Sequence, residues 1–177
     1  MTPDHPLGEV LRDGDMFGLR YERTLRHSPE RVWRALTESD QLQHWLPVDI
    51  VGERREGAEI TAPFWQAVVD KYEIADATLP GRILTWDPPR TFSWMWDRDT
   101  LIFELHPTEH GTRLVFTTWV VDTTAGVDKT AAGYHVCLDQ LVELLDTDAP
   151  RPFIDRDASV YEAVYAEVID AATVKDS

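Results

Sequence analysis

The sequence has one cysteine, few basic residues and no long apolar segment, and each shortage excludes a class of protein. With Cys137 alone, no internal disulfide can form, which fits a reducing cytoplasm. No apolar run approaches the roughly 20 residues that span a bilayer. Residues 1–15 lack the basic and apolar regions of a signal peptide. We therefore expect a cytoplasmic protein without a membrane span.

Basic side chains are outnumbered by acidic ones, 17 to 32, and the formal net charge is -15. Such a surface repels the phosphates of nucleic acids and of anionic lipids. The arginines between residues 12 and 34 are interleaved with acids, so we interpret them as a mixed, solvated surface. The sequence predicts neither nucleic acid nor a membrane as a partner.

Motifs of common catalytic and metal sites are also missing. The sequence has no G-x-S-x-G motif, no phosphate-binding glycine loop and no dinucleotide fingerprint. His106 and His110 are four residues apart, but Pro107 and Gly111 predict a hairpin turn there, and a zinc site needs at least three protein ligands. We predict no metal and no cofactor.

Cys137 has His135 and Asp139 two residues away on either side. On a helix, neighbours at that spacing point in nearly opposite directions, so a Cys-His pair is not expected. We interpret Cys137 as a buried, inert thiol. No catalytic residue is predicted.

The apolar pattern predicts an antiparallel sheet followed by one long helix. Alternating apolar residues indicate strands joined by tight turns in five segments: 17–25, 48–64, 81–96, 100–107 and 111–121. Tight turns favour antiparallel pairing, because parallel strands need longer crossovers. From about Ala125 to Leu145 the apolar spacing becomes three and four, which predicts a helix, and residues 159–172 predict a last amphipathic helix.

Two short helices are predicted between the first strand and the rest of the sheet. Ser28 is suited to cap the first, and Thr37 begins a capping pattern for the second, which Pro47 ends. We predict that Trp33 and Trp45 point inward and close one end of the sheet.

This order of elements is the helix-grip arrangement, and four segments carry a specific resemblance. YERTLRHSPERVWRALTESDQLQHWLP resembles the opening of the START-like SRPBCC superfamily, in particular its homologues of the heat-shock-protein-90 ATPase activator. GRILTWDPPRTFSWMW, FELHPTEHGTRLVF and AAGYHVCLDQLVELL are similar to later blocks of that group, in the same order.

The resemblance implies an α+β helix-grip fold, in which a curved antiparallel sheet wraps a long C-terminal helix and leaves a mainly apolar cavity. It covers residues 17–147, between a polar, poorly ordered lead-in over residues 1–16 and a C-terminal extension over residues 148–177. Members include lipid and hormone binders, aromatic polyketide cyclases and co-chaperone domains, so the resemblance does not select one activity.

Ten residues that face the predicted interior form the candidate ligand site. Arg23 is expected either to make a structural ion pair or to anchor an anionic ligand group. Thr118 supplies a hydroxyl to the ligand or to a neighbouring backbone group. The others fill the core or line a cavity: Phe92, Trp94, Trp96, Phe103, Phe116, Tyr134, Leu138 and Leu141.

The leading functional hypothesis is the binding of a small apolar or amphipathic molecule between sheet and helix. A co-chaperone or protein-interaction domain is the second hypothesis. A cyclase- or hydrolase-type enzyme is the third, with Arg23, Tyr21, Thr118 and Tyr134 as candidate polar groups. The chain is expected to be a monomer or a homodimer.

Overall fold

The computed structural model describes residues 3–121, 126–147 and 150–175. Seven antiparallel strands form one sheet, in the order β1-β2-β7-β6-β5-β4-β3. The strands are β1 (Glu9–Asp13), β2 (Met16–Leu25), β3 (Glu59–Pro63), β4 (Thr78–Asp87), β5 (Thr91–Trp96), β6 (Asp99–Thr108) and β7 (Gly111–Val120). The helices are α1 (Pro29–Thr37), α2 (Ser39–Leu42), α3 (Gln66–Tyr72), α4 (Val127–Thr147) and α5 (Ser159–Lys175), with a short 3-10 helix at Phe153–Asp155. The predicted helix-grip fold is confirmed. Ala125, the predicted start of the long helix, lies outside the described residues.

A row of stacked rings crosses the middle of the sheet. Phe92, Phe103, Phe116 and Tyr21 are direct cross-strand partners on β5, β6, β7 and β2. Their successive ring centroids are 6.1, 4.6 and 5.9 Å apart, with interplanar angles below 20°. Tyr134 of α4 meets this row edge-on, 5.1 Å from the Phe116 ring. Offset-stacked and edge-on rings add to the energy of burial, so the row fixes α4 on the concave face.

The first short helix begins as the sequence predicts, after Ser28. The second does not: α2 begins at Ser39 after Glu38 and ends at Leu42, and Thr37 is the last residue of α1. The Ser28 side chain accepts a hydrogen bond from the Arg31 amide at 3.2 Å. Trp33 and Trp45 are 8% and 2% exposed, which confirms that both are buried. Trp45 also donates its indole N–H to the Ala35 carbonyl at 2.8 Å, which ties α2 to α1.

The lead-in prediction is wrong for residues 9–13, because β1 pairs with β2 along its whole length. Charged residues at Glu9, Arg12 and Asp13 conceal the strand in the sequence, since an edge strand needs few apolar side chains. Helix α3 was not predicted either, because its seven residues carry one buried side chain, Val68. None of the described helices is long and apolar enough to cross a membrane.

Candidate functional site

A pocket of about 400 Å³ opens where α4, α3, one end of the sheet and residues 153–158 converge. Phe64 and Trp96 line it from the sheet side, with their ring centroids 5.8 Å apart. Val68 and Tyr72 of α3 form a second wall. Phe153 belongs to the C-terminal extension and forms a third wall. Most of the lining is therefore apolar and much of it is aromatic, which is typical of small-molecule sites.

Helix α4 contributes small side chains to the pocket. Thr130, Gly133 and Cys137 recur at spacings of three and four, so they lie on one face of the helix. A Cβ atom added to Gly133 would have no atom within 4 Å beyond its chain neighbours and the adjacent backbone of the helix. The space in front of Gly133 is therefore open.

Charged groups at the pocket are already engaged. Arg156 donates hydrogen bonds to the side chains of Gln140 and Glu143. Asp99 accepts a hydrogen bond from the Val121 amide at 3.0 Å. The lining therefore offers no unpaired cation among the residues described.

Burial raises the pKa of two ionisable groups of the pocket further above neutral pH. Burial raises the pKa of the Cys137 thiol to about 12. It also raises the pKa of the Tyr134 phenol, with the nearby Asp99 carboxylate as the second cause. Neither group is ionised at neutral pH, so the structure agrees with the interpretation of Cys137 as an inert thiol.

The ten predicted site residues occupy three places in the structure. Trp96 and Tyr134 line the pocket. Arg23 belongs to a separate polar cluster. The others are at most 1% exposed and lie in the packed core: Phe92, Trp94, Phe103, Phe116, Thr118, Leu138 and Leu141. As one ligand-binding set, the ten residues stay a prediction.

Arg23 is 3% exposed and is not among the residues that line the pocket. Its Nη1 atom donates to the carbonyl oxygens of Pro6 at 3.1 Å and Glu22 at 2.8 Å. Its Nη2 atom is 3.8 Å from Oδ1 of Asp139 on α4. Burial lowers the Arg23 pKa, and the Asp139 carboxylate opposes that effect. Nε and Nη2 of Arg23 are buried without a hydrogen-bond partner among the described residues, so both predicted roles of Arg23 stay predictions.

Asp139 is the centre of a polar cluster that sequence reasoning missed, formed with Arg23, His5, His135 and Tyr161. His5 Nδ1 is 2.8 Å from Asp139 Oδ1, and the Tyr161 hydroxyl donates to Asp139 Oδ2 at 3.4 Å. His135 Nε2 is 3.6 Å from Oδ2. The i,i+4 spacing of His135 and Asp139 on a predicted helix was the available signal.

The polar cluster attaches both ends of the described chain to α4. The Tyr165 hydroxyl of α5 accepts a hydrogen bond from the Gly8 amide at 2.9 Å and lies 2.7 Å from His135 Nδ1. Burial lowers the pKa of His135 to about 4, so this ring is neutral at physiological pH. The cluster contains two histidines and one acid, but no group of His, Cys, Asp or Glu suited to a metal occurs in the described ranges.

Comparison with known proteins identifies relatives of this fold. The family model described as Activator of Hsp90 ATPase homolog 1-like protein matches residues 26–146. No curated protein matches the chain.

Three solved structures illustrate the likeness. A conserved protein of unknown function from Enterococcus faecalis is 23% identical, with a TM-score of 0.76 over 93% of this chain and 91% of that one. CalU16 from Micromonospora echinospora is 17% identical, with a TM-score of 0.64 over 93% and 95%. The Aha1 dimer from Colwellia psychrerythraea is 22% identical, with a TM-score of 0.58 over 73% and 96%. At these identities the structures support the fold alone.

Proposed function

The chain belongs to the family of Activator of Hsp90 ATPase homolog 1-like proteins, and from that premise we propose that it binds a small apolar or amphipathic molecule in the pocket beside Gly133. The observation that carries the proposal is the pocket itself. Its volume of about 400 Å³ falls within the usual range for small-molecule sites.

Burial of a ligand against this lining would be favourable. Phe64, Val68, Trp96 and Phe153 present carbon atoms from three directions. Removing apolar surface from water contributes about 25 cal/mol per Å², before the cost of association. The absence of a side chain at Gly133 supports the proposal too, because it leaves space that the core otherwise fills.

Binding is better supported than catalysis. The pocket needs an ionisable group near its working pH to act as a general acid or base. Burial raises the pKa of Cys137 to about 12 and raises that of Tyr134, which weakens both groups in these roles. A cyclase- or hydrolase-type reaction therefore ranks below binding.

Mass spectrometry of small molecules released from natively purified protein tests the proposal. We expect one compound in near-stoichiometric amount from the parent protein and none from Gly133→Leu, whose side chain would occupy the pocket. The control is Ala163→Leu, which adds the same side chain at an exposed position of α5. Equal release from both variants, or from neither variant nor parent, would count against the proposal.

A second candidate is a co-chaperone or protein-interaction role, which the family description favours. Val160 and Val174 are 47% and 73% exposed on α5. They lie about 21 Å apart along the helix and provide two separate positions at which a protein contact is tested. This role predicts that the protein changes the ATP hydrolysis rate of an Hsp90-type chaperone, and that Val160→Lys with Val174→Lys weakens the effect. An unchanged rate with excess protein would exclude it.

A further inference from the structure

We infer that the pocket selects an uncharged, planar ring molecule, and that Gly133 determines the size of ring system it accepts. This inference rests on the proposed binding function and specifies its ligand. It differs from one sequence expectation, that Arg23 anchors a polar or anionic ligand group, because Arg23 is not among the residues that line the pocket.

The charge of the ligand follows from the partners of the lining residues. Arg156 is hydrogen-bonded to Gln140 and Glu143, and Asp99 contributes a carboxylate to the wall. A ligand carboxylate would therefore find no free cation among the described residues of the lining, and it would lie near the Asp99 carboxylate. Burying an unpaired charge is far more costly than burying an apolar group.

The shape of the ligand follows from the walls. Phe64, Trp96 and Phe153 present ring surfaces on the sheet and extension sides. On α4, an added Cβ at Gly133 would have no atom within 4 Å beyond its chain neighbours and the adjacent backbone of the helix. Carbon atoms make their best contacts at about 3.5–4.0 Å, so the open space at Gly133 leaves room for a ring of the ligand to lie against the helix. Stacked or edge-on contact with the aromatic wall adds to the energy of burial.

A larger side chain at position 133 would fill the pocket more directly than one at any other lining position. The neighbours of Gly133 on the same face, Thr130 and Cys137, are also small. Replacing Gly133 by Leu places four carbons in the open space without displacing an atom at the Cβ position. The same change at Thr130 narrows the pocket from the adjacent turn, which provides a second variant if the first fails to fold.

Three probes of matched design test the inference. 9-Anthracenemethanol is planar and uncharged, 9-anthracenecarboxylate has the same rings with a negative charge, and 1-tetradecanol is uncharged but flexible. Binding of the two anthracene probes is followed by their fluorescence. Binding of 1-tetradecanol is followed by its displacement of 9-anthracenemethanol. We expect the carboxylate to bind at least about tenfold more weakly than 9-anthracenemethanol, a difference of about 1.4 kcal/mol. We expect 1-tetradecanol to displace the probe poorly.

The variants locate the binding. Gly133→Leu and Thr130→Leu should each weaken 9-anthracenemethanol binding by about tenfold or more, which corresponds to about 1.4 kcal/mol, while Ala163→Leu keeps the parent affinity. Circular dichroism and the unfolding midpoint show whether each variant is folded.

The possible failures separate this inference from the proposed function. Equal binding of the carboxylate would refute the charge requirement, and equal binding of 1-tetradecanol would refute the planar shape. If no probe binds but natively purified protein releases a small molecule, the proposed function stands and this inference is wrong. If folded Gly133→Leu and Thr130→Leu bind like the parent, the pocket is not the site and both proposals are wrong.

Discussion

Replacing Gly133 by alanine is expected to make the protein more stable. Glycine in a helix interior is less favourable than alanine by about 0.5–1 kcal/mol, because the unfolded chain loses more conformational freedom. Gly133 lies inside α4 and has no positive φ, and beyond its chain neighbours and the adjacent helix backbone an added Cβ meets no atom within 4 Å. The full gain is therefore available, and for a chain of this size it raises the melting temperature by about 1–4 °C.

A matched control is provided by Gly81 on β4. There an added Cβ would lie 2.5 Å from the Met95 carbonyl oxygen, so Gly81→Ala must displace backbone. We expect it to lower stability by about 1–3 kcal/mol. Urea unfolding followed by tryptophan fluorescence measures both variants, and equal m-values show that the unfolding transition is unchanged.

The outcome decides why a glycine occupies this position. A stabilised Gly133→Ala protein means that the fold does not require glycine there, which supports a role in keeping the pocket open. A destabilised Gly133→Ala protein would refute the reasoning, because the space in front of the helix would then be filled.

The other two predictions concern Trp45, in the turn that follows α2, and His135 of the polar cluster. Trp45→Ala should cost about 3–5 kcal/mol, and Trp45→Phe about 1–3 kcal/mol, because the Ala35 carbonyl loses its donor; equal unfolding midpoints for both would contradict this. Burial lowers the pKa of His135 to about 4 from its ordinary 6.5, so below pH 6.5 the unfolded state binds a proton that the folded state does not. Stability should therefore fall between pH 6.5 and 4, by about 3 kcal/mol at most. His135→Gln should reduce this loss and the exposed His110→Gln should not; a parent-like pH profile for His135→Gln, measured by urea unfolding, would show that another group is responsible.

Much of the fold was predictable because single faces of strands and helices are buried. Phe92 and Trp94 are two residues apart, as are Leu114 and Phe116, so each pair shares one face of its strand. These apolar pairs indicate which side of the strand faces α4. The turn at residues 88–89 was also predictable from the sequence, and in the structure β4 ends before it and β5 begins after it. β1 was missed because its pairing depends on backbone hydrogen bonds with β2, which leave little trace in side-chain polarity.

The pocket was harder to predict. Periodicity shows which side chains face inward, but it does not show whether they pack against other side chains or leave a cavity. Phe103 and Phe116 face inward and stack at 4.6 Å, and Tyr134 of α4 packs edge-on against Phe116, so ring contacts occupy part of the interface between sheet and helix. The walls of the actual pocket include α3 and residues 153–158, which share no periodicity with the strands. Its open side is marked by Gly133, which the periodicity of apolar side chains does not register because glycine has no side chain.

The position of β2 in the sheet has a consequence for how the chain folds. β4, β5, β6 and β7 follow one another and pair through short turns, so they can form from local contacts. β2 pairs with β7, and Phe17 faces Val120 across the sheet. Closing a loop of about one hundred residues costs entropy before any contact is gained, and such pairings slow folding to the millisecond-to-second range. We therefore expect the β4–β7 meander to form early and the docking of β2 to limit the rate at which the concave face closes over α4.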